Sequence, residues 1–265
     1  MLENIHNIID CHLHLYDGKI ADDINNIIIE AKKNNVKYVV NNSDSLESLK
    51  EVIKLQNDFP SFCYSALGIH PEYATNEKSY LDESFKYIYE HKNDILAIGE
   101  IGLDYHYSKE EEVFKKQKEL FIKQLSIARE LDLPVVIHAR DSLNDVYKIL
   151  KDEKIKKFYL HCYSGSYEQF KEFKKISDNF KIGVGGVITF KNSRVLKEIV
   201  SEIDLKYILT ETDSPYLAPV PFRGQNNKPS YLKYVIEEIA NIKQMDISEA
   251  SNILFENGVN YYGIK

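Results

Sequence analysis

Eight short apolar runs, each followed by a longer stretch with helical spacing, govern what this 265-residue chain can fold into. The runs are IIDCHLHL (8–15), VKYVVNN (36–42), FCYSALGIH (62–70), ILAIGEIGL (95–103), PVVIHA (134–139), KFYLHCYS (157–164), FKIGVGGVI (180–188) and KYILTETD (206–213). Between them lie segments such as DDINNIIIEAKKNN, SLESLKEVIKLQND, SYLDESFKYIYEHK and EEEVFKKQKELFIKQLSIARELD, whose apolar residues fall on one helical face. Strands covered by helices on both sides read as unbroken apolar runs, and alternating β and α units imply a parallel sheet. Eight such units in roughly 220 residues predict a closed (β/α)8 barrel, a TIM barrel of the α/β class. The rival is an open doubly wound sheet, and no glycine-rich phosphate loop follows the first run to favour it. YLKYVIEEIANIK is then the eighth helix and ISEASNILFENGVNYYG an extra C-terminal helix. With no linker or repeat in view, residues 1–265 are expected to form a single domain.

Composition narrows the class. A formal net charge of -7 excludes a broad positive field that could hold long nucleic acid through many phosphate contacts, so any polyanion must be gripped locally. Three scattered cysteines, Cys11, Cys63 and Cys162, make neither a disulfide framework nor a CxxC pair and suit a reducing interior. No run approaches the roughly 20 apolar residues of a membrane span, and the N-terminus has no signal-peptide pattern, so a cytoplasmic protein without membrane association is expected.

A barrel draws its active site from the C-terminal ends of its strands. Those ends carry His12 and His14 (run 1), His70 (run 3), Glu100 (run 4), His138 (run 5), His161 (run 6), and Glu211 and Asp213 (run 8). Five of the eight histidines therefore fall on one rim, whereas chance would scatter them over helices and loops. Imidazole and carboxylate donors together suit divalent ions such as zinc or manganese. Alternation along a strand further predicts that Asp10, His12 and His14 share one face, with Cys11 pointing away. The same argument turns Cys162 away from His161, so both cysteines are read as packing residues.

Taken together, DCHLHL, GIHP, GEIGLDY, HAR, HCYSG, ETDSPYL and the RGQNNKP loop resemble the TatD family of metal-dependent deoxyribonucleases, of the amidohydrolase-like barrel superfamily. The resemblance runs from residue 8 to about residue 231 and implies a metal-dependent hydrolase that cleaves DNA phosphodiesters, with exonuclease activity. It departs at Tyr16, where an acidic residue often follows the His-x-His-Leu motif. It implies two divalent ions (zinc, manganese or magnesium), with His12, His14 and Asp213 holding one, His138 and His161 the other, and Glu100 bridging. The residues agree on Glu100, because a group shared by two cations must be anionic and Glu100 is the sole acid in GEIG. A paired-metal site can activate water and clamp the oxygens of a phosphoryl displacement. Asp213 and Glu100 are the catalytic candidates, with Asp213 orienting the attacking water or taking its proton.

Substrate contacts are expected from His70, Tyr105, Arg140, Ser164 and Arg223. Arg140 offers a forked donor for a phosphate oxygen. Ser164 and Gly165 stand where a helix N-terminus could receive an anion, or merely cap that helix. Glu211, on the face of Asp213, is expected to fix a ligand's orientation from behind. The partner is DNA, single-stranded or at strand ends, with no obligate protein partner. An amidohydrolase or lactonase acting on a small carbonyl compound shares this ligand set and is the alternative.

Overall fold

A computed structural model describes residues 5–265. Eight parallel strands occur in the order β1 (Ile8–Leu13), β2 (Val36–Asn42), β3 (Cys63–Leu67), β4 (Ala97–Asp104), β5 (Val135–Arg140), β6 (Phe158–Leu160), β7 (Lys181–Val184) and β8 (Ile208–Thr210), each paired with the next in sequence. The seam between β8 and β1 is closed beyond the strands, where the Asp213 N–H donates to the His12 carbonyl (2.9 Å) and the His14 N–H to that of Ser214 (2.8 Å). Side chains stitch it further, since the Asp10 carboxylate accepts the Thr212 backbone N–H (2.9 Å) and the Thr212 hydroxyl (2.5 Å). The expected TIM barrel is what forms.

Helices α1 (Ile24–Lys33), α2 (Leu46–Asp58), α3 (Lys78–Glu90), α4 (Glu111–Glu130), α5 (Leu143–Asp152), α6 (Tyr167–Ile176), α7 (Arg194–Glu202) and α8 (Leu232–Lys243) cover the outside. Their starts follow local chemistry: capping boxes at Ser45 with Ser48 and at Ser166 with Gln169 satisfy the first free N–H groups of α2 and α6. The outer core between sheet and helices is built from residues such as Ile8, Leu13, Leu67, Ile101 and Phe158.

A second, smaller core fills the barrel interior with Ile9, Cys11, Val40, Ala66, Ala97, Val136, Tyr159 and Leu209. The predicted extra helix, α9 (Ile247–Tyr262), closes its lower mouth with Tyr261 and Tyr262. Their hydroxyls donate to the Val135 carbonyl (2.9 Å) and the Cys11 carbonyl (2.7 Å). Gly258 permits this approach, because a Cβ there would stand 2.6 Å from Ile9 and 2.8 Å from the Cys11 sulfur. Plugging one end dry leaves the opposite end, where the strands finish, as the open face.

Two buried glutamines on α4 fasten that face. Gln124 accepts the Ile69 N–H (2.8 Å) and donates to the Ile69 carbonyl (2.9 Å), while Gln117, two turns earlier, makes the same pair of bonds with Asp104 (2.9 and 2.8 Å). No helix among the described residues is long and apolar enough to cross a membrane.

Candidate metal centre

β1 and β4 both break register at the residues that matter. The pairing of β1 with β2 shifts between Asp10 and Leu13, and that of β4 with β5 shifts between Ile98 and Ile101, so each strand carries an extra residue beside His12 or Glu100. A bulge re-aims a side chain. Strict alternation therefore fails on β1: Cys11 packs in the interior, Asp10 turns to Thr212, and His12 swings to the rim beside His14.

Four donor atoms converge there. His12 Nε2 and His14 Nε2 stand 3.1 Å apart, Glu100 Oε2 lies 3.5 and 3.3 Å from them, and Asp213 Oδ1 lies 3.6 Å from both. Ligands held at about 2.0–2.1 Å in a tetrahedron are roughly 3.3 Å from one another. The spacing is thus that of donors around one divalent ion, and is too long for most of these pairs to be good hydrogen bonds. The other oxygen of the same carboxylate, Glu100 Oε1, meets His138 Nδ1 (2.9 Å) and His161 Nε2 (2.7 Å), which are 3.2 Å apart. One carboxylate consequently touches both histidine pairs. Buried His12 Nδ1 and His161 Nδ1 have no hydrogen-bond partner among the described residues, and the two rings stack with centroids 4.0 Å apart.

Groups behind the donors set their direction. Asp104 Oδ2 lies 2.9 Å from His138 Nε2, and the Asn42 carbonyl 3.0 Å from His14 Nδ1, the outer contacts that commonly orient metal-binding imidazoles. Asp104 was not singled out from sequence, although its position four residues after Glu100 and the even spacing along β4 were visible. Burial pushes His12 down to about 4, with His161 adding to the shift, so this imidazole is neutral and has a lone pair to offer. Burial alone would raise Asp213 and Glu100, yet the histidines around them hold both below the ordinary carboxylate range.

The pocket around these atoms has a volume of about 260 Å³. Asp17, Asp44, Glu72, Glu100, Asp104 and Asp213 line it, against one guanidinium, that of Arg140. His70 lines it as well, its ring 4.5 Å from that of His138, and Arg140 donates to the Tyr107 hydroxyl (3.1 Å) at the rim. Tyr16, the departure from the family pattern, places its hydroxyl 2.9 Å from His14 Nδ1.

The remaining candidates lie elsewhere. Tyr105 points to Asp145 (3.0 Å) and packs on Phe114, while Ser164 lines both a depression beside Tyr105 and a cavity it shares with Cys162 and Gly185. Ser166, not Ser164, caps α6. The Arg223 guanidinium sits 4.1 Å over the Phe190 ring. Glu211 is buried beneath the site, accepting the Cys162 N–H (2.6 Å) and the Tyr159 hydroxyl, and so braces the turn after His161. Cys162 does not turn away: β6 has ended, φ is 45°, and the thiol lies 3.7 Å from Asp213 Oδ2. Alternation could not apply to a residue outside the strand.

A family model described as TatD related DNase matches residues 9–263. The chain belongs to that family. It is 37% identical over 262 residues to an uncharacterized metal-dependent hydrolase, YabD, of Bacillus subtilis, covering 97% of this chain and 99% of that one. A second metal-dependent hydrolase, from Methanocaldococcus jannaschii, is 35% identical over 254 residues, covering 96% of each. Among solved structures, the TatD homologue YJJV of Escherichia coli superposes with a TM-score of 0.90 at 26% identity, over 98% of this chain and all of that one. A TatD family hydrolase from Entamoeba histolytica, at 22% identity and a TM-score of 0.83, shares the fold over 97% and 98% of the two chains.

Proposed function

We propose that this chain is a metal-dependent hydrolase that cleaves DNA phosphodiesters at the ends of single strands. The observation that carries this reading is the carboxylate of Glu100, each oxygen of which faces a different pair of histidines. In it His12, His14 and Asp213 would hold one divalent ion and His138 and His161 a second, with Glu100 available to both. The ions would supply activation of water and neutralisation of phosphate charge. Six carboxylates against one guanidinium would otherwise repel an anionic substrate, so the reading needs cations to bind one.

The chain's own groups do the rest. Asp213, held ionised by the histidines around it, is the base that takes the proton of the attacking water. Asp104 keeps the His138 ring directed at the centre, and Arg140 receives a phosphate oxygen at the rim. His70 stands against His138 as a further substrate contact. Binding through one rim cation and the centre suits a terminal phosphodiester rather than a long duplex.

The test is direct. Metal-depleted protein is reloaded with magnesium, manganese or zinc, bound ions are counted, and nucleotide release from labelled single- and double-stranded DNA is followed beside ester, lactone and amide hydrolysis. About two ions per chain and release from single strands are expected. Failure to release nucleotides with any metal, or faster turnover of the carbonyl substrates, overturns the reading.

A further inference from the structure

A second cavity, of about 250 Å³, opens beside the ligand pocket on the same face of the barrel. The two share a wall. His161, Asp213 and Tyr216 line the ligand pocket, while their chain neighbours Cys162, Thr212 and Leu217 line the cavity. Cys162 and Asp213 both adopt left-handed backbone (φ 45° and 56°), so the chain turns sharply at both places where it passes between the two compartments.

The two compartments differ in chemistry. Six carboxylates line the first, whereas among the described residues no Asp, Glu, Lys or Arg lines the second. The apolar side chains of Val187, Val195 and Leu217 meet bare backbone at Gly185 and Gly186 there, and Asn192 supplies one amide. Val195 and Leu217 are 56% and 42% exposed, an apolar mouth left open to water next to a strongly polar site. A ligand matching both compartments carries an ionic centre joined to a neutral ring with apolar faces and a polar edge. A nucleotide has that construction, and pockets that are mainly apolar with a few polar groups are the usual form of small-ligand sites.

We infer that this cavity is a base-binding subsite, receiving the nucleobase attached to the phosphodiester held at the ligand cluster. The inference rests on the phosphodiesterase reading above. The ring faces lie against aliphatic side chains and peptide groups, and the Asn192 amide meets the edge.

Two measurements test it with the metal-loaded protein. The first compares release from single-stranded oligonucleotides ending, at either end, in an ordinary nucleotide or in an abasic tetrahydrofuran residue. The second compares equilibrium binding of dAMP and of 2-deoxyribose 5-phosphate. Both ratios are expected to favour the base by at least about tenfold. Val195→Trp, which crowds the mouth, brings both ratios within about twofold of unity while release from the abasic end stays unchanged; Val195→Ala, the milder variant, lowers them by about two- to threefold. A wild-type protein indifferent to the base, or a preference that survives Val195→Trp, overturns the inference and leaves the phosphodiesterase reading standing. If no oligonucleotide is cut, that reading falls, and the binding comparison still decides for or against the cavity.

Discussion

Gln124 offers a perturbation whose size can be worked out bond by bond. Its side chain is fully buried on α4 and satisfies both backbone groups of Ile69, the residue before His70, at 2.8 and 2.9 Å. Replacing it by methionine keeps much of the volume and removes both partners. Ile69 is itself fully buried, so its N–H and carbonyl are left without water or protein to bond. Each orphaned group costs about 1–3 kcal/mol, which sets the loss at about 2–6 kcal/mol for Gln124→Met. A volume-conserving exchange with no hydrogen bonds at stake would cost less than about 1.5 kcal/mol. Urea unfolding of chelator-treated protein, followed by circular dichroism, reads the difference as a lowered midpoint at constant m-value. Gln117→Met, at Asp104, should cost a similar amount. The two sites lie about 10 Å apart along the helix, so the double mutant should be additive to within about 0.5 kcal/mol. A Gln124→Met protein within about 1 kcal/mol of wild type would refute the claim that these glutamines hold the rim.

Further outcomes follow from single contacts. Asp104→Asn, which weakens the grip on His138, should lower metal affinity or turnover by about 10–100-fold, read by equilibrium dialysis and by DNA release. Gly258→Ala should destabilise by about 1–3 kcal/mol, because its Cβ would meet Ile9 at 2.6 Å and the Cys11 sulfur at 2.8 Å under the barrel floor; a urea midpoint equal to wild type would show that α9 can retreat freely. With one guanidinium in the ligand pocket, single-strand binding should show a logarithmic salt slope of about -0.7 to -1.4, as for one or two neutralised phosphates, and a slope several times steeper would contradict a local grip.

The barrel was legible because it is written in repetition. Eight apolar runs and the intervening helical faces report burial, which a linear pattern records well, and every strand formed within one residue of its predicted run, β4 and β5 each running one residue past the end. The ring of histidines was legible for a related reason: strand ends are where barrel topology gathers side chains, so His12, His14, His138 and His161 could be grouped without knowing any distance. The misses share a different cause. Asp10 and Cys162 were placed by alternation, and each lies where alternation stops, one at a bulge and the other beyond the end of a strand in left-handed backbone. Gln117 and Gln124 look like ordinary polar residues of a charged helix, since nothing local shows that the backbone they reach belongs to two distant strand ends.

Those departures fall together in space. The bulge on β1 turns His12 and His14 together to the rim, the bulge on β4 carries Glu100, and the left-handed turns at Cys162 and Asp213 stand between the ligand pocket and the apolar cavity. With regular alternation continued from the inward-facing Ile9 and Cys11, His12 and His14 would both point to the outer face of the sheet, away from Glu100 and Asp213. The irregular backbone is therefore what turns a generic barrel rim into a cation-binding cluster. Because left-handed conformations of residues with a Cβ cost energy, their concentration on this wall requires that the surrounding hydrogen bonds over-determine it. The Glu211 carboxylate supplies that support from below at Cys162, and Asn227 does so beside Asp213, donating to the Thr212 carbonyl at 2.7 Å. Asn227→Ala, which touches no donor atom of the cluster, should accordingly weaken metal binding as well as stability, and an unchanged metal affinity measured by dialysis would separate the wall from the site it is argued to build.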